Sequence, residues 1–379
     1  MRWYELRKDT LTESARIQHA EDLIFWEGSA GAAKALESLK AIETGKHKDV
    51  TIKWDGSPAV IFGRDQDGNF VLTDKSGFSA KGYDGKSKSP KDLENMLLNR
   101  KLSKGQEVPP SYAKFASRMK NIFPVFESAM PKDHVGYFKG DLLYFVPPPS
   151  KDNQIVFTPN VVTYTVDATS DIGKKIKAST TGVVIHNEID LKGNDQALDI
   201  DVDKFFLGNS LLVMPPITMS KSADIDDQSV KKLQSVIASN QQSIDNLLNR
   251  PTLAQQKLSD FSSLLYTYAN SKVDTGFDNL GKDFMDWLQT SKTSKVKQKR
   301  ISEHIQKNSV GFSALWVIYS QLQAIKDNII NQFDAHDQAV KATIGSSEGG
   351  EGYVMQRPWG SMKLVNRQGF TAANRAVER

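Results

Sequence analysis

The chain has 379 residues, 39% of them hydrophobic and 25% charged, enough to bury one large core or two smaller ones. It contains no cysteine, which excludes disulfides and thiolate metal sites and fits a reducing, cytoplasmic setting. The net charge of +4 permits a polyanionic partner without demanding one. No run of 18 apolar residues is present and the opening residues lack an apolar signal core, so neither a membrane span nor a secretory leader is expected.

Residues 12–42 read as helix. Ile17, Ala20, Leu23 and Ile24 give a partial apolar face, and a second helix follows over 32–42. Between them Gly28-Ser29-Ala30-Gly31 predicts a turn rather than a phosphate loop, because no Gly-Lys-Ser/Thr follows. Residues 50–73 alternate strand, turn, strand, over 50–52, 59–62 and 70–72, the last after Asp67-Gly68. Residues 79–105 are rich in Lys, Gly and Ser and predict a mobile segment. A helix is expected over 111–130, ended by Pro131, and strands over 135–145, 155–166 and 181–186. From 226 to 342 the pattern is helical. Leu315, Ile318, Tyr319, Leu322, Ile325 and Ile329 form a stripe at helical spacing, the mark of ordinary core packing. Residues 343–379 return to Gly-rich turn and strand. The chain therefore reads as α+β, with a β-rich domain over 1–225 and 343–379 interrupted by an all-helical block over 226–342.

Chemistry concentrates in four short segments. Lys53 stands in Thr51-Ile52-Lys53-Trp54-Asp55-Gly56-Ser57-Pro58, at a strand end before an Asp-Gly turn. A deprotonated lysine held there can attack an α-phosphate and form a phosphoramidate. The plainer reading is an Asp-Gly hairpin preceded by a solvated lysine. Three later segments favour the first reading. Tyr137-Phe138-Lys139-Gly140-Asp141-Leu142-Leu143 puts an acid after a glycine in a strand. Glu351-Gly352-Tyr353-Val354-Met355 opens a strand with another acid, and Met362-Lys363-Leu364-Val365 adds a second lysine. Carboxylates can hold a divalent cation, and the cation and Lys363 can neutralise charge on the α-phosphate.

The set resembles the covalent nucleotidyltransferase superfamily of ATP-dependent DNA ligases, RNA ligases and mRNA capping enzymes. Lys53-Trp54-Asp55-Gly56 resembles the first motif, whose lysine becomes adenylylated. Gly140-Asp141-Leu142 resembles the third, with Asp where Glu is usual. Glu351-Gly352-Tyr353-Val354 resembles the fourth, and Lys363 the lysine of the fifth. Within the superfamily, Lys-x-Asp-Gly-Ser and Glu-Gly-Tyr-Val are similar to phage-type RNA ligases. Pro58 stands where DNA ligases commonly have arginine, and the 16 residues after Lys363 leave no room for an OB domain. Val365 replaces the usual second lysine of the fifth motif. The resemblance implies a ligase adenylation-domain fold of antiparallel sheets with flanking helices, interrupted by the helical block. It implies an ATP-dependent polynucleotide ligase, RNA favoured over DNA, sealing 5′-phosphate to 3′-hydroxyl ends through a lysyl-AMP intermediate, as a monomer. Lys53 and Lys363 would be catalytic. Thr51, Ile52, Lys53, Asp55, Gly56, Asp141, Tyr164, Glu351 and Lys363 would bind ATP, with Tyr164 against adenine. Asp141 and Glu351 would hold Mg²⁺ or Mn²⁺.

Thr181-Gly182-Val183-Val184-Ile185-His186 is a rival fourth motif, but Thr181 is no anionic ligand, and an ordinary sheet strand is the better reading. Lys75 and Lys81 could reach phosphates from the loop after the nucleophile strand, but a solvated loop is the better reading. Lys295, Lys297, Lys299 and Arg300 lie in a basic run that could contact nucleic acid or be a solvated face. The six histidines show no paired spacing, so zinc is not expected. Two other functions remain in view. One is adenylyl transfer to a protein or small molecule; the other is a non-catalytic, phage-like nucleic-acid-binding protein of the same fold.

Overall fold

The computed structural model describes residues 18–368 apart from 44–49, 80–86, 103, 197, 216–221, 274, 278, 336–339, 345–346, 349–351 and 358. In chain order the strands are β1 (Gln18–His19), β2 (Val50–Ile52), β3 (Ala59–Arg64), β4 (Phe70–Asp74), β5 (Gly136–Tyr144), β6 (Ser150–Lys151), β7 (Gln154–Phe157), β8 (Thr163–Asp167), β9 (Thr181–Ile189), β10 (Asp195–Gln196), β11 (Leu211–Met214), β12 (Val340–Ile344), β13 (Ser347–Glu348), β14 (Tyr353–Arg357) and β15 (Gly360–Leu364). The helices are α1 (Leu23–Glu43), α2 (Lys75–Ser79), α3 (Pro90–Leu102), α4 (Pro110–Ala129), α5 (Asp171–Ala178), α6 (Val202–Phe205), α7 (Asp227–Leu247), α8 (Arg250–Gln255), α9 (Phe261–Ser271), α10 (Phe284–Thr290), α11 (Lys295–Lys307) and α12 (Ser309–Asp334). The protein is thus mixed α+β with several sheets. It divides into two compact units. The first takes Met1–Ile52, Thr218–His336 and Glu351–Arg379; the second takes Lys53–Ile217 and Asp337–Gly350.

In the first unit α1, the helices α7 to α12 and a four-stranded sheet share one core. The α12 stripe is buried as expected, from Leu315 through Ile318, Tyr319 and Leu322 to Ile329. Phe25 stacks on Tyr319 at 5.2 Å, which ties α1 to α12. Gly28 breaks α1 at φ +60°, as a turn there requires, and a Cβ on it would sit 2.6 Å from Asp245 Oδ1. Asp245 then accepts from the Ser29 N–H at 3.0 Å and the Ser29 hydroxyl at 2.9 Å, so α7 anchors the new helical start. The sheet runs β1-β15-β14-β2, with β1 parallel to β15 and the other pairs antiparallel. Helix stops at Asp334, and the last residues expected to be helical, from Val340 to Ala342, lie instead in β12 of the second unit.

In the second unit a six-stranded sheet has the path β10-β9-β5-β3-β4, with β11 parallel to β9. α4 covers it, because Ala116, Met119, Ile122, Phe123 and Phe126 fall on one face. Phe126 meets Phe62 edge-on at 4.9 Å and Phe123 meets Phe70 at 5.1 Å. The segment expected to be mobile contains α3, which buries Leu93, Met96 and Leu97. A three-residue apolar spacing sits there within a polar composition, and the spacing prevails. A second sheet has the order β13-β12-β8-β7-β6. The single strand expected over 155–166 is the hairpin of β7 and β8, broken at Thr158-Pro159-Asn160.

Candidate functional site

β2 leads directly into Lys53. It pairs with β14, which sets Tyr353 opposite Ile52 and Val354 opposite Thr51. On its other side β14 pairs with β15, which sets Lys363 opposite Val354. Directly opposed residues in a sheet share a face, so Thr51, Val354 and Lys363 form one cross-strand row. The Thr51 hydroxyl donates to the Val354 carbonyl at 3.4 Å. Gly352 has φ +112°, and a Cβ there would lie 2.3 Å from the Leu364 carbonyl oxygen; the glycine of Glu-Gly-Tyr is required by the approach of β15. Tyr353 is buried, and its hydroxyl donates to Asp334 Oδ1 at 2.8 Å. Burial raises the Asp334 carboxyl, against the lowering effect of that bond. Lys363 is half-buried. Glu351 lies outside the described residues.

The segment after β2 belongs to the second unit, where Lys53 is half-buried and Trp54 fully buried. Asp55 is 5% exposed. Its carboxylate accepts from Asn160 Nδ2 at 2.9 Å, the Val161 N–H at 2.7 Å and the Val162 N–H at 3.0 Å. Those three bonds occupy the carboxylate with the β7–β8 turn, so its work is to fix the Lys-x-Asp-Gly loop rather than to meet a ribose. Tyr164, expected to stack on adenine, is also corrected. It is 1% exposed, its ring lies 4.6 Å from Trp54 and 5.6 Å from Phe157, and its hydroxyl accepts the Asp55 N–H at 2.6 Å. An enclosed ring offers no face to a base.

Gly56 passes against β5. A Cβ on it would lie 2.6 Å from Asp141 Cβ and 2.9 Å from the Leu142 carbonyl oxygen. The Ser57 N–H donates to that carbonyl at 2.9 Å, and the Leu142 N–H donates to the Pro58 carbonyl at 3.0 Å. These contacts bring the Asp-Gly of the first motif and the acid of the third together. Asp141 in turn meets a residue that sequence reasoning missed. Lys139 pairs with Asn187 and Gly140 with Ile185, so His186 is the extra residue of a β-bulge. Bulges re-aim side chains, and here His186 Nε2 comes to 2.9 Å from Asp141 Oδ2. Both side chains are partly exposed. The signal was faint: His186 is the first polar residue after the buried run Thr181–Ile185, but a bulge leaves no mark in the alternation. Thr181 itself is fully buried, and its hydroxyl donates to the Tyr144 carbonyl at 2.5 Å.

The predicted phosphate-contact residues scatter. Lys75 is exposed at the start of α2, and Lys81 lies outside the described residues. The basic run winds around α11 instead of forming one patch. Lys295 and Lys299 are exposed, Lys299 lies 3.9 Å from Glu303, and Lys297 is ion-paired with Asp260. Among the described residues no three His, Asp or Glu side chains gather for a metal, and no helix is long and apolar enough to cross a membrane.

The chain belongs to a family of unknown function, DUF6267, whose model matches residues 15–94 and 108–379. No curated protein and no solved structure matches it.

Proposed function

We propose that this protein is an ATP-dependent polynucleotide ligase with a covalent nucleotidyltransferase fold, acting on RNA in preference to DNA. The observation that carries the reading is the strand order β2-β14-β15. Within the first unit Thr51, Val354 and Lys363 stand in one row across these strands, and Lys53 follows β2 directly in the chain. The contact of Gly56 with Asp141 adds the remaining motif to the first.

ATP is the substrate. The Lys53 amine attacks the α-phosphorus, the bond to the bridging oxygen of the β-phosphate breaks, and pyrophosphate leaves. The adenylyl group then passes to a 5′-phosphate, and a 3′-hydroxyl displaces AMP as the new phosphodiester forms. Lys363 opposes charge building on the α-phosphate. The Asp141 carboxylate is partly exposed and would serve as an oxygen ligand of Mg²⁺; the ion would draw charge from the phosphates. Asp55 holds the loop, and His186 orients Asp141.

The test is incubation with α-labelled ATP and Mg²⁺. Wild type is expected to take a covalent, acid-labile label, and Lys53→Ala and Lys53→Arg to take none, because arginine stays protonated. Label retained by K53A overturns the assignment. Nicked duplex and 5′-phosphorylated single-stranded RNA then distinguish a ligase from adenylyl transfer to another acceptor.

A further inference from the structure

Arg300, His304 and Lys307 recur along α11 at spacings of four and three, which puts them on one helix face. That face and the end of α8, at Gln255, Gln256 and Lys257, enclose a pocket of about 350 Å³. Three cations line it against one carboxylate, Glu303. Among the described residues none of Lys257, Arg300 and Lys307 has an ion-pair partner, although Glu303 stands on the same helix.

The floor of the pocket is unusual. His304 is 2% exposed, and its ring is held edge-on to Phe261 at 5.5 Å. His304 Nε2 lies 2.9 Å from the Leu247 carbonyl, which can only accept, so Nε2 carries a hydrogen. The other ring nitrogen, Nδ1, is buried with no partner, and so is Gln256 Oε1. A buried acceptor with no partner is destabilising unless a ligand satisfies it. The cations call for phosphate oxygens. The two orphaned acceptors call for a hydroxyl or amino donor nearby. One ligand class carries both.

We propose that this pocket binds a nucleotide. Lys257, Arg300 and Lys307 take the phosphate, while His304 Nδ1 and Gln256 Oε1 accept from a sugar hydroxyl or a base amine. The volume lies at the small end of ligand pockets, roughly 300–1,000 Å³, which suits one nucleotide and not a duplex. This site is independent of the Lys53 assignment.

Calorimetric titration of the full chain with AMP, adenosine, inorganic phosphate and a short 5′-phosphorylated oligonucleotide tests it. AMP is expected to bind more tightly than adenosine or phosphate. R300Q/K307Q should weaken AMP at least tenfold, and Q256A should weaken AMP without changing phosphate binding. K295Q/K299Q removes equal charge from outside the pocket and should leave AMP affinity unchanged. Preference for the oligonucleotide over AMP would identify a strand as the source, and equal affinity a free nucleotide. No AMP binding, or equal losses in the two double variants, would overturn the proposal. So would phosphate binding as tightly as AMP with no effect of Q256A.

Discussion

Arg367 Nη1 lies 2.7 Å from Asp22 Oδ1, with both side chains buried in the first unit. The same guanidinium donates to the Tyr319 hydroxyl and, through Nη2, to Asn270 Oδ1 at 2.8 Å. Beside it Lys326 Nζ lies 2.7 Å from Glu21 Oε1, again fully buried. Two fully buried carboxylates and two cations therefore sit in one apolar interior, with the half-buried Asp327 3.6 Å from Lys326 at its edge. Such charges hold only as a set. R367A strands Asp22 and is expected to destabilise the first unit by about 3–5 kcal/mol, the scale for removing one partner of a buried pair. R367K should restore little, since one ammonium cannot span Asp22, Tyr319 and Asn270 as a planar fork does. Urea unfolding followed by circular dichroism measures this, and D22N/R367M should recover most of the loss. An unchanged R367A midpoint would show that water replaces the guanidinium.

The same cluster sets a pH dependence. Burial pushes Asp22 up to about 6 against the pull of Arg367, and burial likewise pushes Asp327 up to about 6 against the pull of Lys326. Both native values exceed the unperturbed 3.8, so the folded state holds extra protons between about pH 4 and 6. Their contribution to stability is complete below pH 4 and falls as pH rises through 6. D327N removes one such ionisation. It should be more stable than wild type at pH 7, with the advantage shrinking toward pH 4. The comparison of two urea midpoints at each pH isolates the effect from carboxylates held low, such as Asp65 and Asp226, which act below pH 4.

Gly56→Ala tests the contact between first and third motifs. The new methyl would meet Asp141 Cβ and the Leu142 carbonyl at distances that neither can hold. Overpacking of this kind costs about 1–3 kcal/mol. The variant should melt earlier and take up label from α-labelled ATP more slowly. Gly68→Ala has open space around it but a φ of +78°, so it should lose stability alone and keep its labelling rate.

Glu351→Ala and Lys363→Ala should each slow self-adenylylation about 10²-fold, the scale for losing one charge-stabilising group. Glu188→Ala should have little effect, because among the described residues that carboxylate accepts one 3.3 Å bond, from the Asp199 N–H. The reverse ranking in a labelling time course would place the chemistry at β9 and remove β14 and β15 from it.

Much of this was legible in the sequence for a physical reason. The α12 stripe, the helix expected over 111–130 and found at Pro110–Ala129, and the break at Gly28 follow from periodicity and backbone freedom, which are local properties. Lys53, Asp55 and Gly56 were marked by an Asp-Gly turn after a strand. What the turn does was not legible. Asp55 looks like a ligand group until Asn160, Val161 and Val162 are seen to occupy it, and they lie about a hundred residues away. Tyr164 fails for the same reason: alternation places it on a strand but cannot say that Trp54 closes over its ring. His186 depends on a one-residue slip in pairing, and Arg367 on partners at 22, 270 and 319. Long-range complementarity of single polar groups has no period, so no pattern announces it.

The buried guanidinium also fixes a sequence of events during synthesis. The core around Phe62 and Phe138 is built from residues 60–213 and can close once those have emerged. The interior around Phe25 and Tyr319 holds Glu21 and Asp22, and Arg367 is translated more than 150 positions after residue 213. At roughly 5–20 residues per second that delay is on the order of ten seconds or more. During it the acidic pair near the start of the described chain has no guanidinium to meet, and the helices that later enclose it carry exposed Leu, Ile and Trp side chains. Through that interval β12, which completes the second sheet beside β8, is also still to come, so each unit waits on the end of the chain for its last piece.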